Sequence, residues 1–235
     1  MGTLWFIRHG QACFGASEYD ALSENGYSQA KALGRYFARA GIAFDAVYSG
    51  SMKRQTETAR QAITAANHGE PMAGPTVLSE FNEYDFVAII KSQLPAMVRE
   101  DPAMAERSKN IFKDDATFVE LFSIIFQRWI SGRHDIPGAE TFEAYKGRIR
   151  KGLAKVIQDS GSAANTAVYT SGGVIGVLVQ MVLNLSLEIT METGWQICNA
   201  SISRFQVKED RLVMAGFNSI AHLEIEGNQN LITYR

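Results

Sequence analysis

The sequence predicts an α/β protein: a three-layer αβα arrangement with a mostly parallel central sheet and a helical insertion or cap, in a single domain over residues 1–235. Three observations predict it. Short apolar runs alternate with amphipathic helical segments over residues 4–66, and the alternation resumes near residue 165, which is the pattern of strands joined by crossover helices. Between about 85 and 135 a charged stretch of helical periodicity interrupts that pattern. Finally, 235 residues at 46% hydrophobic and 20% charged suffice for one sizeable core, at roughly 150 residues per domain.

Each element follows from its residues. Leu4–Ile7 is a fully apolar run that stops at Arg8-His9-Gly10, a buried strand opening into a loop. Ser23 is suited to cap a helix over Gly26–Arg39, where Ala30, Leu33, Phe37 and Ala38 keep helical spacing and Gly41 follows. Phe44–Ser49 reads as a second strand ending at Gly50, with a helix from Lys53 to Ala66 behind it. Asn67, Gly69, Pro71, Gly74 and Pro75 form a loop into an extended piece over Val77–Phe81. From Phe86 to Trp129, charges from Lys91 to Asp115 surround apolar positions, giving the helical insertion that Gly132–Gly138 closes. Phe142, Tyr145, Ile149, Leu153 and Val156 mark one more amphipathic helix. Ala167–Thr170 is a strand, Ser171-Gly172-Gly173 a tight loop, and Val174–Leu185 an apolar helix packed on the sheet. Ile202–Val207 and Leu212–Phe217 alternate apolar and polar residues around Lys208-Glu209-Asp210-Arg211, a hairpin at the sheet edge. Phe118, Phe122, Phe126 and Trp129 recur on one helix face; the stripe reads as packing the insertion onto the core, with a homodimer face or a substrate lid as the alternatives.

Charge and cysteine content narrow the function classes. Lys and Arg number 23 against 25 Asp and Glu, so no global basic field exists to hold nucleic acid or an anionic membrane. The chain has neither an apolar run approaching ~18 residues nor a leader pattern at its start, and Phe6 stands where a myristoylation signal needs Ser or Thr; a soluble cytoplasmic protein is expected. Cys13 and Cys198 cannot build a disulfide framework, and Cys13, four residues after His9, reads as an inert loop residue ahead of a reactive thiol. His68, His134 and His222 lack metal-ligand spacing, so neither a metal nor a cofactor is expected.

Three strand ends project polar groups toward one edge of the predicted sheet: Arg8-His9-Gly10, Ser49-Gly50-Ser51 with Arg54, and Thr170-Ser171-Gly172-Gly173. Ligands bind at that edge of an open parallel sheet. Two guanidinium forks, an imidazole and Gly-bearing loops at helix starts make an anion site, for which phosphate is the obvious ligand.

The same residues resemble a family. Leu4-Trp5-Phe6-Ile7-Arg8-His9-Gly10-Gln11 is similar to the strand-Arg-His-Gly signature of the histidine phosphatase superfamily, which includes the cofactor-dependent phosphoglycerate mutases. Leu22-Ser23-Glu24-Asn25-Gly26-Tyr27-Ser28-Gln29-Ala30, the Ser49 to Ala59 segment with Arg54 and Thr58, and Glu140-Thr141-Phe142 with Arg148 resemble further family motifs in the same order. Thr170-Ser171-Gly172-Gly173 stands where the family has Ser-His-Gly-Gly, and His222-Leu223 resembles a C-terminal motif read as structural.

The resemblance implies a phosphoglycerate mutase-like domain and a metal-independent phosphomonoester hydrolase acting on a small phosphorylated metabolite through a phosphohistidine. It implies His9 as nucleophile, Arg8 and Arg54 as the phosphoryl clamp, Glu80 in Leu78-Ser79-Glu80 as general acid, and Gln11, Ser171 and Gly172 on the substrate. Tyr84 stands where the family has Gly four positions after the acid, which leaves Glu83 as the runner-up. Ser171 replaces the second family histidine, a change that resembles the loss of one preorganised donor, ~10²–10³ in rate. Ala12 and Gly15 replace side chains that would contact phosphate, and the short spacing to Tyr19-Asp20-Ala21-Leu22-Ser23 favours a phosphatase over a mutase. The alternatives are phosphoryl transfer of the mutase type and a weakened protein that binds phosphate or a phosphorylated ligand.

Overall fold

A computed structural model describes residues 2–13, 20–69, 73–111, 113–161, 164–209 and 211–234. Gly15, Tyr19, Pro71 and Asp210, which the sequence reading used, lie outside the described residues. The chain divides into two compact units, Met1–Glu83 with Ile149–Arg235, and Tyr84–Arg148.

The first unit is built on a six-stranded sheet flanked by helices. Its strands are β1 (Thr3–Arg8), β2 (Ala46–Ser49), β3 (Thr76–Val77), β4 (Asn165–Thr170), β5 (Ile202–Lys208) and β6 (Arg211–Ser219). Their order is β3-β2-β4-β1-β5-β6. The first four run parallel, whereas β5 lies antiparallel to β1 and β6 to β5, so the hairpin forms the expected edge. Parallel pairing brings like ends together: Arg8 stands beside Thr170, and Ser49 beside Tyr169 and Val77. The carboxyl ends of four strands therefore share one edge, as the anion site requires.

Alternation along the strands separates two apolar faces. Trp5 and Ile7 of β1, with Ala167 and Tyr169 of β4, pack on Leu33 and Phe37 of α1 (Glu24–Arg39) and on Ala59 and Ala62 of α2 (Lys53–Ala66). On the other face Phe6 is fully buried, with its ring 5.8 Å from those of Phe81 and Phe205. Burying a side chain of that size stabilises the fold by about 1.5–3 kcal/mol. Ser23 caps α1 by accepting from the Gly26 N–H at 3.1 Å, a contact of about 1 kcal/mol.

Three departures from the sequence reading have local causes. The extended piece over Val77–Phe81 pairs only at Thr76–Val77 and then turns through a 3-10 helix at Ser79–Phe81. That turn drives the Phe81 ring into the core and brings its carbonyl to Thr170 Oγ1, 2.7 Å away. The apolar helix, α7 (Gly172–Leu183), begins directly after Ser171 and stops short of Leu185, because Asn184 adopts φ 52° and ends it. A further helix (Leu187–Trp195) follows, capped by Ser186, which accepts from Ile189 N–H at 3.3 Å.

The second unit holds α3 (Phe86–Glu100), α4 (Ala103–Arg107) and α5 (Asp115–Ile130), and α6 (Phe142–Ser160) begins in it. Asp85 and Asp114 cap α3 and α5 by accepting main-chain N–H groups three residues on. The aromatic stripe packs along itself and on residues of the same unit: Phe118, Phe122, Phe126 and Trp129 lie 5.4–5.6 Å apart in succession. Tyr84 lies beside Phe122, Phe126 and Trp129, and Phe142 and Tyr145 close on Trp129. Glu140 and Arg148 form a two-pronged ion pair at 2.7 and 3.2 Å. Among the described residues, no helix is long and apolar enough to cross a membrane.

Candidate active site

The site is assembled on the carboxyl end of β1. His9 follows the last strand residue, and its main chain is held on both sides: its N–H donates to Thr170 O at 2.8 Å, and its carbonyl accepts from Ala200 N at 3.1 Å and Asn199 Nδ2 at 3.2 Å. Gly10 N–H donates to Thr58 Oγ1 of α2 at 3.0 Å. The loop then crosses α1 backbone to backbone. A Cβ on Gly10 would sit 2.5 Å from Gly26 O, and one on Gly26 would sit 2.2 Å from Gln11 O, so both positions need glycine for close approach.

The His9 ring is 5% exposed, and Nδ1 lies 2.7 Å from its neighbour's carbonyl, Gly10 O. A carbonyl only accepts, so Nδ1 carries the proton and Nε2 the lone pair. Burial pushes the imidazole pKa well below its ordinary value, the charges of Arg54 and Arg8 push the same way, and the Gly10 hydrogen bond opposes them. At neutral pH the ring is uncharged with its tautomer fixed.

Arg54, at the start of α2, is 5% exposed and aims at that lone pair: Nε donates to His9 Nε2 at 3.1 Å. Its Nη1 donates to Asp20 Oδ1 at 2.6 Å, and Asp20 Oδ2 also accepts from Lys53 N–H at 2.7 Å. The guanidinium is thereby oriented by groups on two sides. Arg8 donates through Nη1 to the Ile197 carbonyl, and its Nε would lie 3.5 Å from a Cβ built on Gly172, so it flanks the start of α7. An uncharged imidazole beside two guanidiniums can attack an electrophilic centre that carries negative oxygens.

The third strand end contributes Ser171, Gly172 and Gly173. Ser171 is fully buried, and its Oγ accepts from Gln55 Nε2 at 2.8 Å. Gly173 N–H, in the first turn of α7, donates to the Glu83 carboxylate at 3.1 Å. Glu80 lies against α6: a Cβ on Gly152 would fall 2.7 Å from its own Cβ, and its charge reaches Lys155. Gln11 turns toward the cap of α1, where its Oε1 accepts from Ser23 Oγ at 2.8 Å. Cys13 is half-buried and its thiol reaches Leu22 O at 3.4 Å.

Sequence reasoning missed Asp20, Gln55, Thr58 and Asn199 as members of this cluster. Gln55 and Thr58 stand inside the segment singled out for Arg54, one and four residues on, which places both at the start of the same helix. For Asn199 no local signal exists, since its partner His9 is 190 residues away.

His222 is 3% exposed, with its ring 5.9 Å from that of Tyr36. Burial pulls its pKa from 6.5 down to about 4, against the Ala200 backbone and the Glu226 charge. The unfolded chain binds a proton below about 6.5 that the fold excludes until about 4, so this contribution to stability is complete above that window and is lost as pH falls through it. At about 1.4 kcal/mol per pKa unit the loss reaches ~3 kcal/mol. Urea unfolding midpoints should fall between about pH 7 and about pH 4.5, and His222→Gln should fall less steeply over the same range.

The family model described as "Histidine phosphatase superfamily (branch 1)" matches residues 4–89 and 84–220. No curated protein matches the chain. Among solved structures, the phosphoserine phosphatase of Entamoeba histolytica in complex with 3-phosphoglyceric acid is 21% identical, covering 95% of this chain and 100% of its own at a TM-score of 0.63. The phosphoglycerate mutase of Bacillus anthracis is 17% identical, with 96% of each chain covered at 0.63. The alpha-ribazole phosphatase of Shigella flexneri is 19% identical, covering 92% of this chain and 96% of its own at 0.62. At these identities the likeness is one of fold.

Proposed function

The chain belongs to the histidine phosphatase superfamily, branch 1, and on that premise we propose that it hydrolyses a small phosphomonoester through a phosphohistidine formed on His9. The observation that carries the reading is the His9 ring itself: a proton held on Nδ1 by Gly10 O, and Nε2 turned to the Arg54 guanidinium.

A phosphoryl group entering the site draws the Arg54 N–H from the Nε2 lone pair to one of its own oxygens, with the Arg8 charge also acting on it. Nε2 then attacks phosphorus, the bond to the ester oxygen breaks, and a carboxyl group delivers a proton to the departing oxygen. Positive charge that develops on the ring is stabilised through Nδ1–H and the Gly10 carbonyl. In the second step water attacks phosphorus, returns a proton to the carboxylate, and the N–P bond breaks to release orthophosphate. The two arginines spread the charge of the transferring group in both steps. Gln11 acts at the cap of α1, supporting the loop, while Ser171 and Gly172 face the phosphoryl group from the third strand end.

Glu80 is the acid that the Leu78-Ser79-Glu80 motif assigns. Glu83 is a second reading, favoured by one observation: its carboxylate already stands at Gly173 N–H, beside Ser171. Direct hydrolysis is favoured over return of the phosphoryl group by the short spacing between Gly10 and Leu22.

A chromogenic aryl phosphate tests the reading in the presence of EDTA. The expected result is turnover; its absence, together with tight orthophosphate binding, would move the protein to the binding class. Substrates with poorer leaving groups identify the acid, because only removal of the true donor, in Glu80→Gln or Glu83→Gln, selectively slows them, by about 10²-fold or more.

A further inference from the structure

Gln55 makes a set of contacts that fixes where the Ser171 proton can go. It is the third residue of α2 and is fully buried. Its Oε1 accepts from Met52 N–H at 3.3 Å, and its Nε2 donates to the Phe81 carbonyl at 3.1 Å. A main-chain N–H only donates and a carbonyl only accepts, so these two backbone groups define which end of the amide is nitrogen. The amide packs into the space that Gly50 leaves, its Oε1 lying 1.9 Å from where a Cβ on that glycine would be.

The second N–H on Nε2 therefore points at Ser171 Oγ, 2.8 Å away, and the hydroxyl must accept it. Ser171 precedes α7 without using its side chain to cap that helix. Its hydroxyl is left with one proton to donate, and among the described residues no acceptor for that proton is found. A buried hydroxyl held in this way is primed for an acceptor brought by a ligand, and it stands at the strand end beside Arg8, whose Nε would lie 3.5 Å from a Cβ built on Gly172.

We propose that Gln55 is a positioning residue that holds Ser171 as an obligate donor to a phosphoryl oxygen of the substrate. The pair supplies one neutral hydrogen bond to the transferring group, and, unlike an imidazole, it keeps its proton across the whole neutral range. This inference rests on the phosphohistidine reading of the same site, and it adds a residue that acts only through Ser171.

A double-mutant cycle tests it, with kcat and KM on an aryl phosphate, orthophosphate binding by calorimetry, and thermal melting to confirm folding. Ser171→Ala is expected to lower kcat by about 10²-fold, the scale of losing one preorganised donor. Gln55→Met should cost about as much, and the double variant no more than either single change, because both remove the same hydrogen bond. Gln55→Glu keeps the shape but offers Ser171 a carboxylate to donate to. Its kcat should fall as the pH rises through the titration of that carboxyl while the parent's does not, a response that a purely structural role would not give.

The inference is overturned if the double variant loses the product of the single losses, if Gln55→Met keeps the parental kcat, or if Gln55→Glu follows the parental pH profile. Should the parent show no turnover, the phosphohistidine reading fails and the pair is judged on orthophosphate affinity. Equal, non-additive weakening there upholds the Gln55–Ser171 unit, and unchanged affinity rejects it.

Discussion

Replacing His9 by alanine should lower kcat on an aryl phosphate by about 10⁴–10⁶-fold, the scale on which removing a covalent nucleophile acts. The size of the loss follows from the absence of a substitute. Nε2 is the group that Arg54 Nε already addresses at 3.1 Å, and Cys13, the nearest thiol in sequence, is engaged with Leu22 O. Orthophosphate binding should survive, because the guanidiniums of Arg8 and Arg54 remain and their hold on the anion does not pass through the ring. A split of this kind, with chemistry lost and binding kept, marks a nucleophile. Loss of both would mark a residue that only props the loop, a role that the three main-chain bonds of His9 already fill.

Arg54→Ala should produce the second largest effect, about 10²–10³-fold or more in kcat/KM, and Arg54→Lys should recover little of it. Arginine here makes two directed bonds at once, Nε to His9 and Nη1 to Asp20 at 2.6 Å, and an ammonium cannot reproduce a planar fork. A further signature separates this residue from any other binding group. Its charge is one of the causes holding the His9 pKa down, second only to burial, so removing it lets that pKa rise. Since only the uncharged ring can attack, the acid limb of the pH–rate profile should move to higher pH in Arg54→Ala. A profile that keeps its position while falling in height would show that Arg54 binds phosphate without tuning the nucleophile.

What the sequence made legible was whatever is local. The apolar run ending at Arg8-His9-Gly10 and the helix over Lys53–Ala66 announce themselves through periodicity and flanking glycines, and the structure has β1 at Thr3–Arg8 and α2 at Lys53–Ala66. Parallel order then follows from the alternation of strand and helix, which brings Arg8, Ser49 and Thr170 to one edge. Short-range pattern does not report contacts across the fold. The bond from Gln55 to Ser171 spans 116 residues, and that from Asn199 to His9 spans 190. The extended piece over Val77–Phe81 gives way to a 3-10 turn at Ser79–Phe81, where the Phe81 carbonyl is satisfied by side chains of Gln55 and Thr170 and not by a neighbouring strand. The helix Leu187–Trp195 carried its own signal in Ser186, but its exposed Leu187, Ile189 and Trp195 blur the apolar stripe that periodicity relies on.

The mechanism stands on a covalent bond between His9 and phosphorus, which rapid quenching into alkali during turnover of an aryl phosphate, followed by peptide mass spectrometry, detects. One phosphoryl group, stable in alkali and lost in acid, is expected on the peptide that carries His9 and is absent from His9→Ala. Turnover that proceeds with no phosphoryl group on His9, or with one on another side chain, would contradict it.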